Sequence, residues 1–140
     1  MRAVVDNNAL VSGLLWGEKP GRLFRAVATG HLQIFLSEAL LGELRDVLQR
    51  RKFAARLALK RLTPEIVLAQ VQAAARVVHA PPVPLPALLR DADDLPVLAC
   101  ALSAEVDVII TGDKDLLALN PFENIPIITV ANALERLELS

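Results

Sequence analysis

The sequence has little of what marks a secreted or membrane-spanning protein. Its one cysteine, Cys100, cannot form an internal disulfide, and because it lies inside the apolar run VLACAL we expect a small buried side chain there. No run of about 18 apolar residues occurs, and no basic start precedes a long apolar stretch. The sequence therefore predicts neither a membrane span nor a secretory signal, and we expect a cytoplasmic protein.

Two common catalytic motifs are missing as well. The chain has no Gly-x-Ser-x-Gly elbow for a serine nucleophile and no Walker-type GxxxxGK[ST] loop for nucleotide phosphates. Aromatic residues make up only 4% of the chain, so few side chains are available to stack on nucleobases. Apolar residues are abundant, at 54% of 140 residues, which predicts one compact domain over residues 1–140.

Short apolar runs alternate with helical patterns along the whole chain. Strands are predicted near residues 3–6, 32–36, 106–111 and 125–129, and helices near residues 21–29, 37–50, 53–60, 64–77, 95–103 and 131–137. The proline-rich stretch at 80–86 is unsuited to a helix and predicts an extended connection. Alternating strands and helices predict an α/β fold with a parallel sheet covered by helices.

Acidic residues lie at several ends of these elements. Asp6 ends the first strand, and Asp113 and Asp115 follow the strand predicted near 106–111. Ligands of parallel sheets collect at the carboxyl ends of the strands, so these acids are expected at one edge of the sheet.

Two predicted helices add further acids. Glu43 borders the apolar stripe of a helix that Ser37 is placed to cap, whereas Asp46 is expected to point further away. Asp94 stands just before the helix predicted to begin near Leu95.

Each acid also has a simpler structural explanation. Asp94 and Asp113 are well placed to cap helices. Asp6 could end its strand in a turn, and Glu43 could lie half-exposed at a helix margin. A common site is favoured because four separate elements each bring one acid to a position from which a shared cleft can be reached.

Clustered carboxylates repel one another, so without a counter-ion their pKa values rise and they destabilise the fold. A divalent cation removes this repulsion, and oxygen ligands without His or Cys select Mg²⁺ or Mn²⁺ over Zn²⁺. Ions held in this way polarise a phosphodiester and activate the attacking water, which requires no nucleophile from the protein. The acids therefore favour metal-dependent chemistry on phosphate esters.

The chain carries four motifs whose order resembles that of the PIN-domain family: VVDNNALVSGLL, SEALLGELRDVLQRRKF, RDADDLPVLACAL and VIITGDKDLL. The likeness runs from Arg2 to about Thr129 and is closest to the toxin components of bacterial and archaeal toxin–antitoxin pairs. It implies a three-layer α/β/α fold with a central parallel sheet. It also implies a Mg²⁺- or Mn²⁺-dependent ribonuclease, usually a homodimer, that a cognate antitoxin protein inhibits.

The resemblance implies roles for single residues. The family's catalytic, metal-binding acids fall on Asp6, Glu43, Asp94 and Asp113, with Asp115 as an additional fifth ligand. The family commonly has Asp-Thr-Asn after the first strand. Its Asn falls on Asn8, where it orients the acids, and Asn7 stands where a hydroxyl residue is expected.

Charge is unevenly distributed along the chain. The segment 45–61, called here the basic segment, carries seven basic residues and one acid, a charge of +6, whereas the remainder carries −7. It has three interpretations: it binds an RNA backbone, it receives an acidic tail of the antitoxin, or it is a solvated helix face. The residues expected to contact RNA are Arg50, Arg51, Lys52 and Arg56.

The sequence leaves two other functions open. Dehalogenase-like phosphotransferases and phospho-acceptor receivers also place acids at the ends of parallel strands. The former resemble Asp-x-Asp after the first strand, where this chain has Asn8, and receivers favour a lysine late in the chain, whereas Lys114 lies between two acids. A catalytically silent interaction module that keeps the fold is the third hypothesis.

Overall fold

The computed structural model describes residues 1–16, 19–86 and 92–138. Arg90 and Asp91, at the start of the third motif, lie outside the described residues. The strands are β1 (Arg2–Val5), β2 (Gln33–Ser37), β3 (Ala75–Val78), β4 (Val108–Ile110) and β5 (Ile127–Ile128). The helices are α1 (Asn7–Trp16), α2 (Lys19–Ala28), α3 (Glu38–Leu48), α4 (Arg51–Leu59), α5 (Pro64–Ala74), α6 (Leu95–Ser103), α7 (Lys114–Leu117) and α8 (Val130–Glu138). A 3-10 turn, Ala92–Asp94, precedes α6.

Within the described residues the strands form one all-parallel sheet in the order β3-β2-β1-β4-β5. The chain winds outward from β1 to β3, then returns past β1 to β4 and β5. Because parallel crossovers are right-handed, α1–α5 and α6–α7 cover opposite faces, and α6 contacts β1, β2 and β4. The predicted α/β fold with a central parallel sheet is confirmed, and its winding reverses between β1 and β4.

Most elements lie where the sequence predicts them, to within a few residues at their ends, but three differ. The helix predicted near 64–77 is wrong at its end, because α5 stops at Ala74 and β3 follows at once. Pairing with β2 draws residues 75–78 into the sheet and overrides the helical pattern. The predictions also omit α1 and α7. Helix α1 begins directly after Asp6, for which a turn was the simpler explanation, and α7 begins directly after Asp113, for which a helix cap was.

The core lies between the sheet and the helices that cover it. Strands β1 and β4 are buried because both faces of the sheet are covered. Cys100 is fully buried in α6, as predicted. Burial raises the pKa of its thiol to about 11, so this side chain is protonated and unreactive at neutral pH. No described helix is both long enough and apolar enough to cross a membrane.

Helix α1 is fixed at both of its ends. At its start, the fully buried Asn7 donates a hydrogen bond of 2.9 Å from Nδ2 to the Leu40 carbonyl oxygen in α3. At its end, Arg56 Nε donates to the Leu15 carbonyl oxygen at 2.8 Å. Cationic side chains at a helix C-terminus satisfy carbonyl groups that have no partner within the helix and offset the negative end of its dipole. The connection from β1 into α1 is therefore held against both α3 and α4.

We expect Asn7→Asp to destabilise the protein strongly at neutral pH. The Leu40 carbonyl can only accept, so the new carboxylate would face it without a donor and in a buried position, which costs about 2 to 5 kcal/mol. The destabilisation should shrink towards pH 4, because the protonated acid can donate to Leu40. Urea unfolding at both pH values measures it.

The matched control is Asn132→Asp, the same chemical change at an exposed position in the first turn of α8, where stability should stay within about 0.5 kcal/mol. Equal effects of the two substitutions would contradict the role given to Asn7.

Candidate functional site

The candidate site lies at the carboxyl edge of the sheet, where the winding reverses between β1 and β4. Val5 pairs with Ile110 in the register of these strands, so Asp6 and Thr111 leave the sheet side by side. Open parallel sheets bind ligands at such reversal points, because the loops there diverge and leave a crevice.

Asp6 is buried and each of its carboxylate oxygens accepts a hydrogen bond. The Thr111 hydroxyl donates to Oδ2 at 2.9 Å, and the backbone N–H of Asn8 donates to Oδ1 at 3.3 Å. The Asp113 amide donates in turn to Thr111 Oγ1 at 3.0 Å. Thr111 therefore links the two strand-end acids through one buried hydroxyl.

Asp113 has a structural role in addition to its place at the site. Its Oδ1 accepts a hydrogen bond of 2.7 Å from the Asp115 amide, so it caps α7, as the simpler explanation predicted. Asp94 differs: it occupies the residue before α6, but its side chain makes no capping hydrogen bond. Capping therefore accounts for part of what Asp113 does and leaves Asp94 without that explanation.

The structure brings the four expected acids around one opening of about 540 Å³, called here the acidic cleft. Its lining residues are Asp6, Asn8, Glu43, Asp46, Arg50, Asp93, Asp94, Pro96 and Asp113. Asp46, expected to point away, lines it because it lies one turn after Glu43 on the same face of α3. Asp115 is not among the lining residues. In the described part of the chain, no three Asp, Glu, His or Cys side chains form a ready-made metal site.

A second opening of about 580 Å³, called here the flanking cleft, adjoins the first. It is lined by Asp6, Asn8, Ala9, Ser12, Thr111, Gly112, Asp113, Thr129, Val130 and Ala131. Asp6, Asn8 and Asp113 belong to both clefts, so these three residues form the boundary between them.

A sequence model of the PIN-domain family matches residues 2–115, which is most of the chain. The chain is a PIN domain. Among solved structures, it is similar to the protein in "Crystal structure of PAE2754 from Pyrobaculum aerophilum", at 22% identity and a TM-score of 0.61, over 100% of this chain and 91% of that one. That likeness concerns the fold. No curated protein matches the chain significantly.

This match confirms, at the level of the family, the resemblance seen in the sequence. PIN domains are generally nucleases that require a divalent metal ion. The structure adds Thr111, which sequence reasoning treated only as the end of a strand. The only feature of the sequence that could have indicated this role is the position of Thr111 two residues before Asp113. A threonine at a strand end predicts no specific contact unless the neighbouring strand is known. Asn8 contacts Asp6 through its backbone amide, and its side-chain Oδ1 is buried without a hydrogen-bond partner.

Burial raises the pKa of Asp6 above its usual range, and the nearby charge of Asp113 adds to this rise. Hydrogen bonds from Thr111 and Asn8, and the positive charge of Arg50, act in the opposite direction without cancelling it. The ionised carboxylate is therefore held in a place that disfavours its charge. A bound cation would relieve this cost.

The residues of this PIN domain fit a hard divalent cation. The acidic cleft offers carboxylate oxygens, and its lining within the described residues includes no His or Cys. Oxygen donors of this kind suit Mg²⁺ and Mn²⁺ better than Zn²⁺. The residues that could hold the ion are Asp6, Glu43, Asp94 and Asp113.

The four basic residues expected to meet RNA have different surroundings. Arg50 lines the acidic cleft, and Arg51 is exposed at the start of α4. The Lys52 ammonium lies 4.9 Å from the centroid of the Phe53 ring, in a cation–π contact. Arg56 holds the end of α1 and is half-buried. Arg50 is thus the member of this group that reaches the acids.

We expect Asp6→Asn to stabilise the metal-free protein at neutral pH. A raised pKa in the folded state means that ionised Asp6 lowers stability, so the gain should be absent below the ordinary aspartate pKa and grow as pH rises through the raised value. The amide can keep both contacts, accepting from Asn8 and donating to Thr111. Urea unfolding in chelator between pH 3.5 and about 7.5 measures the difference, and a loss of stability at every pH would contradict the burial argument.

Proposed function

We propose that this PIN domain is a Mg²⁺- or Mn²⁺-dependent endoribonuclease that hydrolyses phosphodiester bonds. The observation that carries the proposal is the acidic cleft, in which four separate elements bring Asp6, Glu43, Asp94 and Asp113 together beside Arg50. Four carboxylates around one opening repel each other and are hard to explain as capping groups alone.

In the proposed mechanism Asp6, Glu43, Asp94 and Asp113 hold the metal. When bound, Mg²⁺ or Mn²⁺ supplies Lewis-acid polarisation of the phosphodiester and a lowered pKa of the attacking water. Thr111 donates a hydrogen bond to Oδ2 of Asp6, so this carboxylate is already oriented before a metal ion binds. Arg50, at the rim of the cleft, is placed to bind a non-bridging phosphate oxygen of the RNA.

The biological setting we propose is a toxin–antitoxin pair in the cytoplasm, in which this chain is the toxin, forms a homodimer and is inhibited by a cognate antitoxin. The support is the likeness of the four sequence motifs to such toxins. The gene beside this one tests it, because a small antitoxin gene is expected there. A phosphotransferase is disfavoured because Asn8 replaces the second acid that such enzymes use, and a silent module because all four acids are retained.

Cleavage of a single-stranded RNA should require Mg²⁺ or Mn²⁺, stop in excess chelator and not return with Ca²⁺, whose larger and looser coordination fits the site poorly. Asp94→Asn should lower the cleavage rate by about 100-fold or more, and weaken Mn²⁺ binding measured by calorimetry, because the variant has one metal ligand fewer. Full activity in chelator would remove the metal mechanism.

The matched control is Asp46→Asn, which removes a carboxylate from the same cleft at an exposed position outside the proposed ligand set. Its rate should stay within a few-fold of the wild type. A single-stranded DNA of the same sequence, assayed in parallel, tests the preference for RNA.

Replacing Arg50, Arg51 and Lys52 together by Gln should flatten the salt dependence of RNA binding. For a single strand, the slope of log K against log salt should fall by about 0.7 for each phosphate that the variant no longer neutralises. Mn²⁺ affinity should not fall, because the substitution of Arg50 removes a positive charge from beside the acids. The control variant replaces three other arginines by Gln and so removes the same charge: Arg22, Arg25 and Arg136, which are exposed residues of α2 and α8. An unaltered slope together with weaker antitoxin binding would indicate that the basic segment binds the antitoxin. If neither RNA binding nor antitoxin binding changes, the segment is a solvated helix face.

A further inference from the structure

We propose that the flanking cleft binds one nucleobase of a single-stranded RNA, next to the phosphodiester that is cleaved. This assignment rests on the proposed function, because it takes the acids as the place of the reacting phosphate. It names a second binding site, beyond the metal and the phosphate, and a class of ligand for it.

The position of the flanking cleft supports the assignment first. The acidic cleft extends from the shared Asp6 and Asp113 towards α3 and α6, whereas the flanking cleft extends from the same two acids towards β5 and α8. In the sheet order, these directions are opposite sides of the β1–β4 reversal point. A phosphodiester held at the shared acids has a nucleoside on each side, and the flanking cleft is an opening beside these acids that one of the two can enter.

The charged residues of the two clefts differ, as expected if one cleft binds phosphate and the other binds a base. The acidic cleft has Arg50 at its rim. The described residues that line the flanking cleft include no Lys, Arg or His, and its charged groups are the shared Asp6 and Asp113. The charged side chains that a phosphate would meet in the flanking cleft are both negative, whereas an uncharged base can bury its faces there without repulsion from them.

The walls of the flanking cleft suit a flat heterocycle. Ala9 and Ser12 of α1 line one side and Ala131 of α8 another, so small side chains leave the space open. The volume of about 580 Å³ is within the range of sites for small ligands.

Hydroxyl groups supply the polar contacts that a base edge needs. Thr129 Oγ1 accepts a hydrogen bond from the Asn132 amide at 3.2 Å and can still donate its own hydrogen, as can Ser12. A base that enters must leave its stack, which single strands permit more readily than duplexes.

The test compares ligands with and without a base and needs no catalysis. Binding of AMP, GMP, CMP, UMP and ribose 5-phosphate to the wild-type protein is measured by calorimetry with saturating Mn²⁺. At least one nucleotide should bind about 10-fold or more tightly than ribose 5-phosphate, because both carry the same phosphate and only the nucleotide has a base to bury.

Two variants locate the base. Ala131→Leu and Ser12→Leu fill the flanking cleft from α8 and α1, and each should reduce the advantage of the nucleotide to about 2-fold or less, with Mn²⁺ affinity unchanged. Asn132→Leu is the matched control, one residue along α8 at an exposed position outside the lining, and should keep the full advantage. Circular dichroism identifies a variant that does not fold, and the other variant then decides.

Each result has a distinct meaning. Equal binding of nucleotides and ribose 5-phosphate, or an advantage that survives in a folded Ala131→Leu or Ser12→Leu variant, overturns the assignment even if the wild type cleaves RNA. A base-dependent advantage that disappears in both variants upholds the nucleobase site even if no RNA is cleaved, in which case the proposed function fails alone.

Discussion

The candidate site depends on the hydrogen bond in which Thr111 donates to Asp6. It joins β1 to β4 at the point where the sheet reverses its winding, and the same hydroxyl accepts from the Asp113 amide, so it sets two acids relative to each other. A buried carboxylate is unfavourable unless its oxygens are satisfied, and here each oxygen accepts a hydrogen bond. The pKa of Asp6 nevertheless stays raised, which is an imbalance that a cation would remove.

The attachment of α1 carries this arrangement from the sheet to the helices. Asn7 follows Asp6 directly and bonds to α3 three residues before Glu43, so the first strand and the helix that bears Glu43 are held together by a buried side chain. Arg56 fixes the other end of α1. The basic segment therefore has two kinds of residue: Arg56 belongs to the fold, whereas Arg50 faces the acids.

The two clefts divide the chemistry that a nuclease needs. The acidic cleft gathers carboxylate oxygens and has the Arg50 side chain at its rim. The lining of the flanking cleft, within the described residues, has small side chains and hydroxyl groups and no basic side chain. Asp6, Asn8 and Asp113 lie where the clefts meet, which is where the proposed binding mode places the phosphodiester. In the proposed binding mode, the phosphate and the base of one substrate are separated by this boundary of a few residues.

The sequence by itself determined the α/β fold, the family and the four acids that line one cleft, because alternating patterns, strand-end aspartates and ordered motifs can be recognised without the tertiary structure. Tertiary structure decided what depends on neighbours distant in the chain. Residues 75–77 were predicted as the end of a helix, but pairing with β2 makes residues 75–78 a strand. Neither Thr111 nor Asn7 has a role visible without the strand or helix beside it. The flanking cleft exists only where α1, β4 and α8 converge, since a cleft between separate elements has no signature in any one of them.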